Sequence, residues 1–372
     1  MSALIPFIRP ALPTAQVLSH DLERISEANW FSNFGPIEQA FRTEIADFIG
    51  DDELAVVTMN NATTGLMAAL AGLLPRGDNT ESIAVATFTF AAGAQAVIWH
   101  GYRPAWFDID PVTLQPDLDS FNALHEKNPR IRAILLTQTF GVGAADIDAW
   151  EELASSHGIP LILDSAAGFG SEYPDGERLG SRGDCEVFSF HATKPFAIGE
   201  GGAVTTRDHT LAENLRSFTN FGFAAGVGAI AVGLNGKLQE LNAAIGRHQL
   251  TDFEDTLTKR KAVLRQYSDE FATLPVSFPT NIERSSICFA SMIVDHQASA
   301  PRVFASLQNA SVEARAYYAP LLHRQPWLEQ FPQMVSLEHS ESIADRIVSL
   351  PVLTDMQPDE IRRVTAAVRD SF

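Results

Sequence analysis

The stretch FSFHATKPFAIGEGGAVTT at 188–206 sets a lysine between an apolar run and a cluster of glycines. Lysine is scarce in this chain, with five in 372 residues: Lys127, Lys194, Lys237, Lys259 and Lys261. Lys127 lies in the polar segment HEKNPR, Lys259 and Lys261 in the charged helix TLTKRKAV, and Lys237 in an NGK turn. Lys194 alone follows a buried-looking strand and precedes GEGG. A lysine removed from water loses its charge readily and can form a Schiff base. Neighbouring glycines allow a close backbone approach or a tight turn. A loop lysine followed by a structural turn fits the same residues, so the rest of the chain must decide.

Working outward, the chain alternates. Helical patterns occupy 36–49 (PIEQAFRTEIADFI) and 62–74 (ATTGLMAALAGLL). Short apolar strands follow at 83–87, 104–109, 133–138, 159–164, 185–190 and 202–206, several separated by helical stretches such as AADIDAWEELASSHG. This spacing predicts an α/β fold, a mostly parallel central sheet with helices on both faces. After about 236 a single long helix is expected through 271, bridging to a smaller α+β unit. The expected division is 1–250 for a large domain with its N-terminal arm, and 251–372 for a small C-terminal domain.

Three further stretches bear on Lys194. Asp164 ends the strand IPLILD, and in open α/β sheets ligands bind beyond the carboxyl ends of strands. A carboxylate there can hold a proton on a ligand ring nitrogen, or simply cap the next helix. NNATTGLMAAL puts Asn61, Thr63 and Thr64 at a helix start, which is either a phosphate site or a plain N-cap. Phe88 and Phe90 end a strand before small residues, where one of them can stack on a flat ring or fill core. Together these supply a lysine nucleophile, a ring-nitrogen carboxylate, a phosphate-binding helix end and an aromatic lid. Pyridoxal phosphate needs that set.

From about 33 to 361 the chain resembles the DegT/DnrJ/EryC1/StrS family of sugar aminotransferases, fold-type I pyridoxal-phosphate enzymes. The lysine motif stands as SFHATKPFAIGEGG, the aspartate segment as DSAAGFG and the phosphate turn as NATTGL. The resemblance implies that Lys194 carries the cofactor and that Asp164 pairs with its pyridine nitrogen. It assigns phosphate contacts to Ala62 (backbone), Thr63 and Ser189, and ring stacking to Phe90. GLNGKLQELNAAIG resembles the segment whose asparagine reaches the partner subunit's phosphate, which puts Asn235 in trans and the site at a homodimer interface. RAYYAPLLHRQPWL resembles the substrate-side segment, with Arg315, Tyr318 and His323 as substrate candidates. The implied reaction moves an amino group, from glutamate by resemblance, to a nucleotide-linked keto-deoxysugar. Three departures bear on substrate position and cofactor tuning. Ala167 stands where Gln or Glu is common, Ala62 where Gly is usual, and Asn-Gly-Lys at 235–237 where Asn-Tyr-Arg is common. Related enzymes that dehydrate or deaminate sugars, and a non-catalytic sensor, are the alternatives.

Composition limits the rest. The net charge of −19 argues against a nucleic-acid or anionic-membrane surface. No apolar run reaches 18 residues, and the N-terminus lacks a secretory pattern. Cys185 and Cys288 lie far apart, match no metal spacing and read as reduced, so a cytoplasmic setting is expected. A nicotinamide dehydrogenase would need GxGxxG after a strand. The nearest stretches, GVGAAD at 141 and GVGAIA at 226, fail on residue type or context.

Overall fold

A computed structural model describes residues 3–372. Seven strands form the main sheet: β1 (Ala55–Met59), β2 (Ser82–Ala86), β3 (Arg103–Phe107), β4 (Ile131–Thr137), β5 (Leu161–Asp164), β6 (Cys185–Ser189) and β7 (Gly202–Thr206). Their order is β1-β7-β6-β5-β4-β2-β3. All run parallel except β7, which is antiparallel to both β1 and β6. The strands are apolar almost throughout, as a sheet covered on both faces requires.

Helices connect the parallel strands and pack against the sheet. Helices α1 (Ala15–Ala28) and α2 (Pro36–Ile49) precede the sheet. On one face α3 (Ala62–Leu73) packs beside α4 (Ala92–Trp99) and α7 (His209–Thr219). On the other lie α5 (Leu118–Lys127) and α6 (Ile147–His157), locked to β3 by the Phe107, Phe121 and Trp150 rings at 5.6–6.0 Å. A two-residue-strand hairpin, β8 (Phe223–Ala224) and β9 (Gly228–Ala229), projects after α7. A second sheet, β10-β11-β12 (Val276–Ser277, Phe289–Val294, Ile347–Pro351), is antiparallel. It packs with α10 (Ser299–Asn309) and α12 (Pro358–Arg369), while α11 (Glu338–Ala344) leads into β12.

Two expectations need correction. The long helix after 236 is two helices, α8 (Glu240–Thr251) and α9 (Phe253–Phe271). Asp252, at φ −109° and ψ 11°, leaves helical geometry and breaks the run without Gly or Pro. The strand β1 escaped the sequence reading, because AVVTM is five residues wedged between two strong helical patterns. The α2 range is as expected, and the strands differ from expectation by no more than two residues at either end.

The core is continuous under the main sheet, with a second cluster under the smaller one. Helix α9 belongs to both: Phe253 and Leu257 face the first, Val263, Leu264, Tyr267 and Phe271 the second. One aromatic cluster within the first core fixes the lysine segment. Phe196, two residues after Lys194, is buried against Phe41, Phe169, Phe190 and Phe253 at 4.8–6.2 Å between ring centroids. Phe196→Ala should therefore cost about 3–5 kcal/mol of stability, read as a lower urea midpoint with an unchanged m-value.

Candidate active site

The carboxyl ends of β1 and β6 flank the start of β7, and that of β5 lies beside β6. Met59, Gly202 and Ser189 lie side by side in register. The next residues after β1 turn into α3, whose N-cap Asn61 accepts the Thr64 N–H at 2.8 Å through Oδ1. The Gly65 N–H goes to the Asn61 carbonyl, while the Ala62 and Thr63 N–H groups have no acceptor among the described residues. A Cβ on Gly202 would lie 2.9 Å from the Ala62 nitrogen, so only glycine lets β7 pass this helix end. The first turn of α3 carries no acidic residue. It is an open, electropositive helix end beside Ser189, which is 8% exposed.

Lys194 sits on the loop that joins β6 to β7. The antiparallel pairing continues past the strands: Phe190 N–H donates to Gly201 O, and Ala192 N–H to Gly199 O, both at 2.9 Å. Gly199 turns this loop at φ +91°. The Lys194 N–H closes a turn onto His191 O, and the lysine is half-buried. His191 contacts Thr193 through Nδ1 at 2.9 Å and serves the turn itself.

Asp164 ends β5, 6% exposed, between Thr137 and Val187 of its neighbours. Its Oδ1 accepts the Ala166 N–H at 3.2 Å. Burial pushes its carboxyl above the usual range, opposed by that hydrogen bond and by the nearby Lys194 charge. A carboxylate in this state favours a proton on any group placed against it. Gly93, in the first turn of α4, packs against Leu135, where a Cβ would lie 2.8 Å from Leu135 Cδ2 and 3.9 Å from Asp164 Oδ2. Phe90, just before α4, is 64% exposed, whereas Phe88 is fully buried.

The remaining sequence candidates divide. Tyr318 stacks on Phe140 at 5.7 Å and meets Phe88 edge-on, close enough to Asp164 that the carboxylate helps hold its phenol protonated. His323 is buried, with Nδ1 2.7 Å from Thr87 Oγ1 and Nε2 3.1 Å from Glu341. Both its ring nitrogens are engaged, and it ties the end of β2 to α11. Arg315 is engaged at the N-terminal arm, over the Phe7 ring and near Glu313. The Asn235 side chain is exposed, while its neighbour Gly236 accepts the Asn60 N–H at 2.7 Å, which docks this loop against the entry to α3. The Ala167 carbonyl accepts from Ser286 at 3.0 Å.

A profile of the DegT/DnrJ/EryC1/StrS aminotransferase family matches residues 15–369. The chain belongs to this family. Protein Rv3402c of Mycobacterium tuberculosis (strain ATCC 25618 / H37Rv) is 46% identical over 99% of this chain and 90% of its own. The dTDP-4-amino-4,6-dideoxy-D-glucose transaminase of Escherichia coli is 26% identical over 97% of each chain. Among solved structures, DesI in the presence of its TDP-sugar product superimposes with a TM-score of 0.89 at 32% identity, covering 98% of this chain and 92% of that one. The protein is thus an aminotransferase of fold-type I architecture, and the fold expected from the sequence is the fold found. No helix among the described residues is long and apolar enough to cross a membrane.

One part of the aminotransferase site was not foreseen. Glu186 of β6 is fully buried and accepts from Ser165 Oγ, Tyr173 Oη and Gly180 N–H. Tyr173 in turn accepts from Gln138 Nε2, and the Gln138 N–H donates to the Asp164 carbonyl at 3.0 Å. This network holds the loop that begins at Asp164. Its one sequence signal is a carboxylate inside the otherwise apolar strand CEVFS. Burial pushes Glu186 up to about 7, from the ordinary 4.5. The folded state therefore binds more protons than the unfolded one between those values. Its contribution to stability is fully present below about 4.5 and lost as pH rises through about 7, a change of about 3 kcal/mol. Glu186→Gln removes this titration. Denaturant titrations should show the margin of wild type over variant shrinking by roughly that amount between pH 4.5 and 8; a margin independent of pH would contradict the assignment.

Proposed function

We propose that the protein moves an amino group from an amino acid, glutamate by family resemblance, to a nucleotide-linked keto-deoxysugar. The cofactor is pyridoxal 5'-phosphate, held on Lys194. The observation that carries this reading is the meeting of Lys194, a buried Asp164 and an open α3 end at one sheet edge. The residues present fit the cofactor: a buried carboxylate at a strand end, two spare backbone N–H groups and a glycine-lined approach. When bound, pyridoxal phosphate supplies an aldehyde that condenses with amines and a ring that takes up electrons.

The chain's own groups do the rest. Ala62 N–H, Thr63 and Ser189 bind phosphate, with the α3 dipole favouring its negative charge. Asp164 keeps a proton at the pyridine nitrogen, and its burial strengthens that pairing. Phe90 stacks over the ring and excludes water from that face. Lys194, freed as a neutral amine, takes a proton from the donor's α-carbon and returns it to the adjacent cofactor carbon; the second half-reaction reverses these transfers. Tyr318 lies on the sugar side, and His323 fixes the segment that carries it. Arg315 is the more distant substrate candidate.

A homodimer fits the exposed apolar residues of the β8–β9 hairpin and its flanks, Val227, Ile230 and Val232, each more than 60% exposed. In that arrangement Asn235 of a second copy reaches the phosphate. A cytoplasmic biosynthetic role accords with the nucleotide-sugar substrates named for the relatives.

The test is the visible spectrum with added pyridoxal phosphate, then glutamate, for wild type, Lys194→Ala and Asp164→Asn. Wild type should show a yellow band that glutamate bleaches. Lys194→Ala should lose the response and at least 10²–10⁴-fold in turnover. A wild-type band that glutamate leaves untouched would favour another donor or the dehydratase-like chemistry; no band would remove Lys194 from the reaction.

A further inference from the structure

A second feature lies behind the lysine turn. A small, partly open pocket of about 20 Å³ is lined by the turn Ala192–Pro195, the N-terminal arm at Phe7–Ala11, Arg260 and Thr256 of α9, and Val352–Thr354 after β12. That volume suits one atom-sized occupant. The chain carries 46 carboxylates against 27 lysines and arginines, yet no carboxylate lines this cavity while Arg9, Lys194 and Arg260 do. Arg9 is already neutralised, paired with Asp355 and Glu360 at 2.9 Å. Arg260 is not.

The Arg260 guanidinium is 6% exposed, and every partner it has is neutral. Its Nε donates to Ile287 O at 2.7 Å, Nη2 to Cys288 O at 2.8 Å and Nη1 to Thr354 Oγ1 at 3.4 Å. A guanidinium offers five N–H donors, so these contacts leave donors spare. Burial alone lowers its pKa to about 10, which still leaves it fully charged at neutral pH. A buried cation without a counter-charge is costly, and neutral carbonyls relieve only part of that cost. The Thr354 hydroxyl, which accepts from Arg260, keeps its own proton free to donate.

We propose that this cavity binds one small monovalent anion of the halide class, held by Arg260 with the hydroxyls of Thr354 and Thr256. The anion neutralises Arg260 and joins three parts of the chain that meet around this pocket: the lysine turn, the N-terminal arm and the end of β12. It lies apart from the α3 end that faces the phosphate. A water molecule would fill the same space but leave the charge unbalanced.

The test uses the full-length protein as purified, with thermal unfolding in chloride and in gluconate at equal ionic strength. Wild type should gain about 2 °C in chloride, saturably. Thr354→Val, which keeps the guanidinium, should lose most of that gain, and Arg260→Gln all of it. Crystals grown in bromide should show an anomalous peak beside the Arg260 guanidinium. Equal unfolding temperatures in both salts, a chloride gain that survives in both variants, or a cavity without the bromide peak would each overturn the proposal. None of these readouts depends on transamination, so the two readings fail separately.

Discussion

The site depends on one strand running the wrong way. In a fully parallel sheet, β1 and β6 would deliver their carboxyl ends to one edge and every connection would leave over a face. Strand β7 instead lies between them antiparallel, so its first residue meets their last. Gly202 then sits between Met59 and Ser189, against the first turn of α3, where no Cβ fits. The loop entering β7 cannot wander far, because its own rungs continue the pairing. Lys194 is carried on that short, doubly tied loop. Its position is thus a consequence of backbone pairing before any side chain is considered, which is the rigidity a reacting amine needs.

Rigidity from the backbone is supplemented by apolar anchoring. Phe196 drives the far side of the loop into a five-ring cluster drawn from α2, the residue after β6, α9 and the segment after Asp164. The same cluster includes Phe169, five residues after Asp164, so the lysine loop and the aspartate loop share one packing unit. A displacement of either is resisted by the other. Glu186 adds a polar tie below the same loop at the expense of burying a carboxyl, and its raised pKa records that cost. Three hydrogen bonds offset it only in part.

What could be read in the sequence was what is local. The glycine cluster, the lysine before it, the aspartate at a strand end and the capped start of α3 each occupy fewer than a dozen residues, and each carries its own chemical signature. Contacts between distant segments were out of reach. His323 reads as a free substrate ligand because nothing in its neighbourhood announces Thr87, 236 positions away, or Glu341. Arg315 likewise hides its place at Phe7. The α8–α9 break lacks Gly or Pro, and both sides of Asp252 pack into the first core, so no local signal marks it. Strand β1 was missed because five residues give too short a period to outweigh the helices on either side.

Helix α9 shows how the two cores are made to act together. Its first turns pack with Phe169 and Phe196 beneath the lysine loop, and its last turns pack under the smaller sheet. Arg260 lies between those halves and binds the carbonyls of Ile287 and Cys288, where the chain enters β11. Cys288 also approaches the Ala167 carbonyl, three residues past Asp164, and its thiol feels the Lys194 charge. Arg260 and the segment it grips thus form one of the contacts by which the smaller sheet meets the elements around the lysine and the aspartate. That places a buried guanidinium at the joint between the two cores. A charge there tolerates little displacement, since moving it off its carbonyls would break its two shortest hydrogen bonds in a low-dielectric interior.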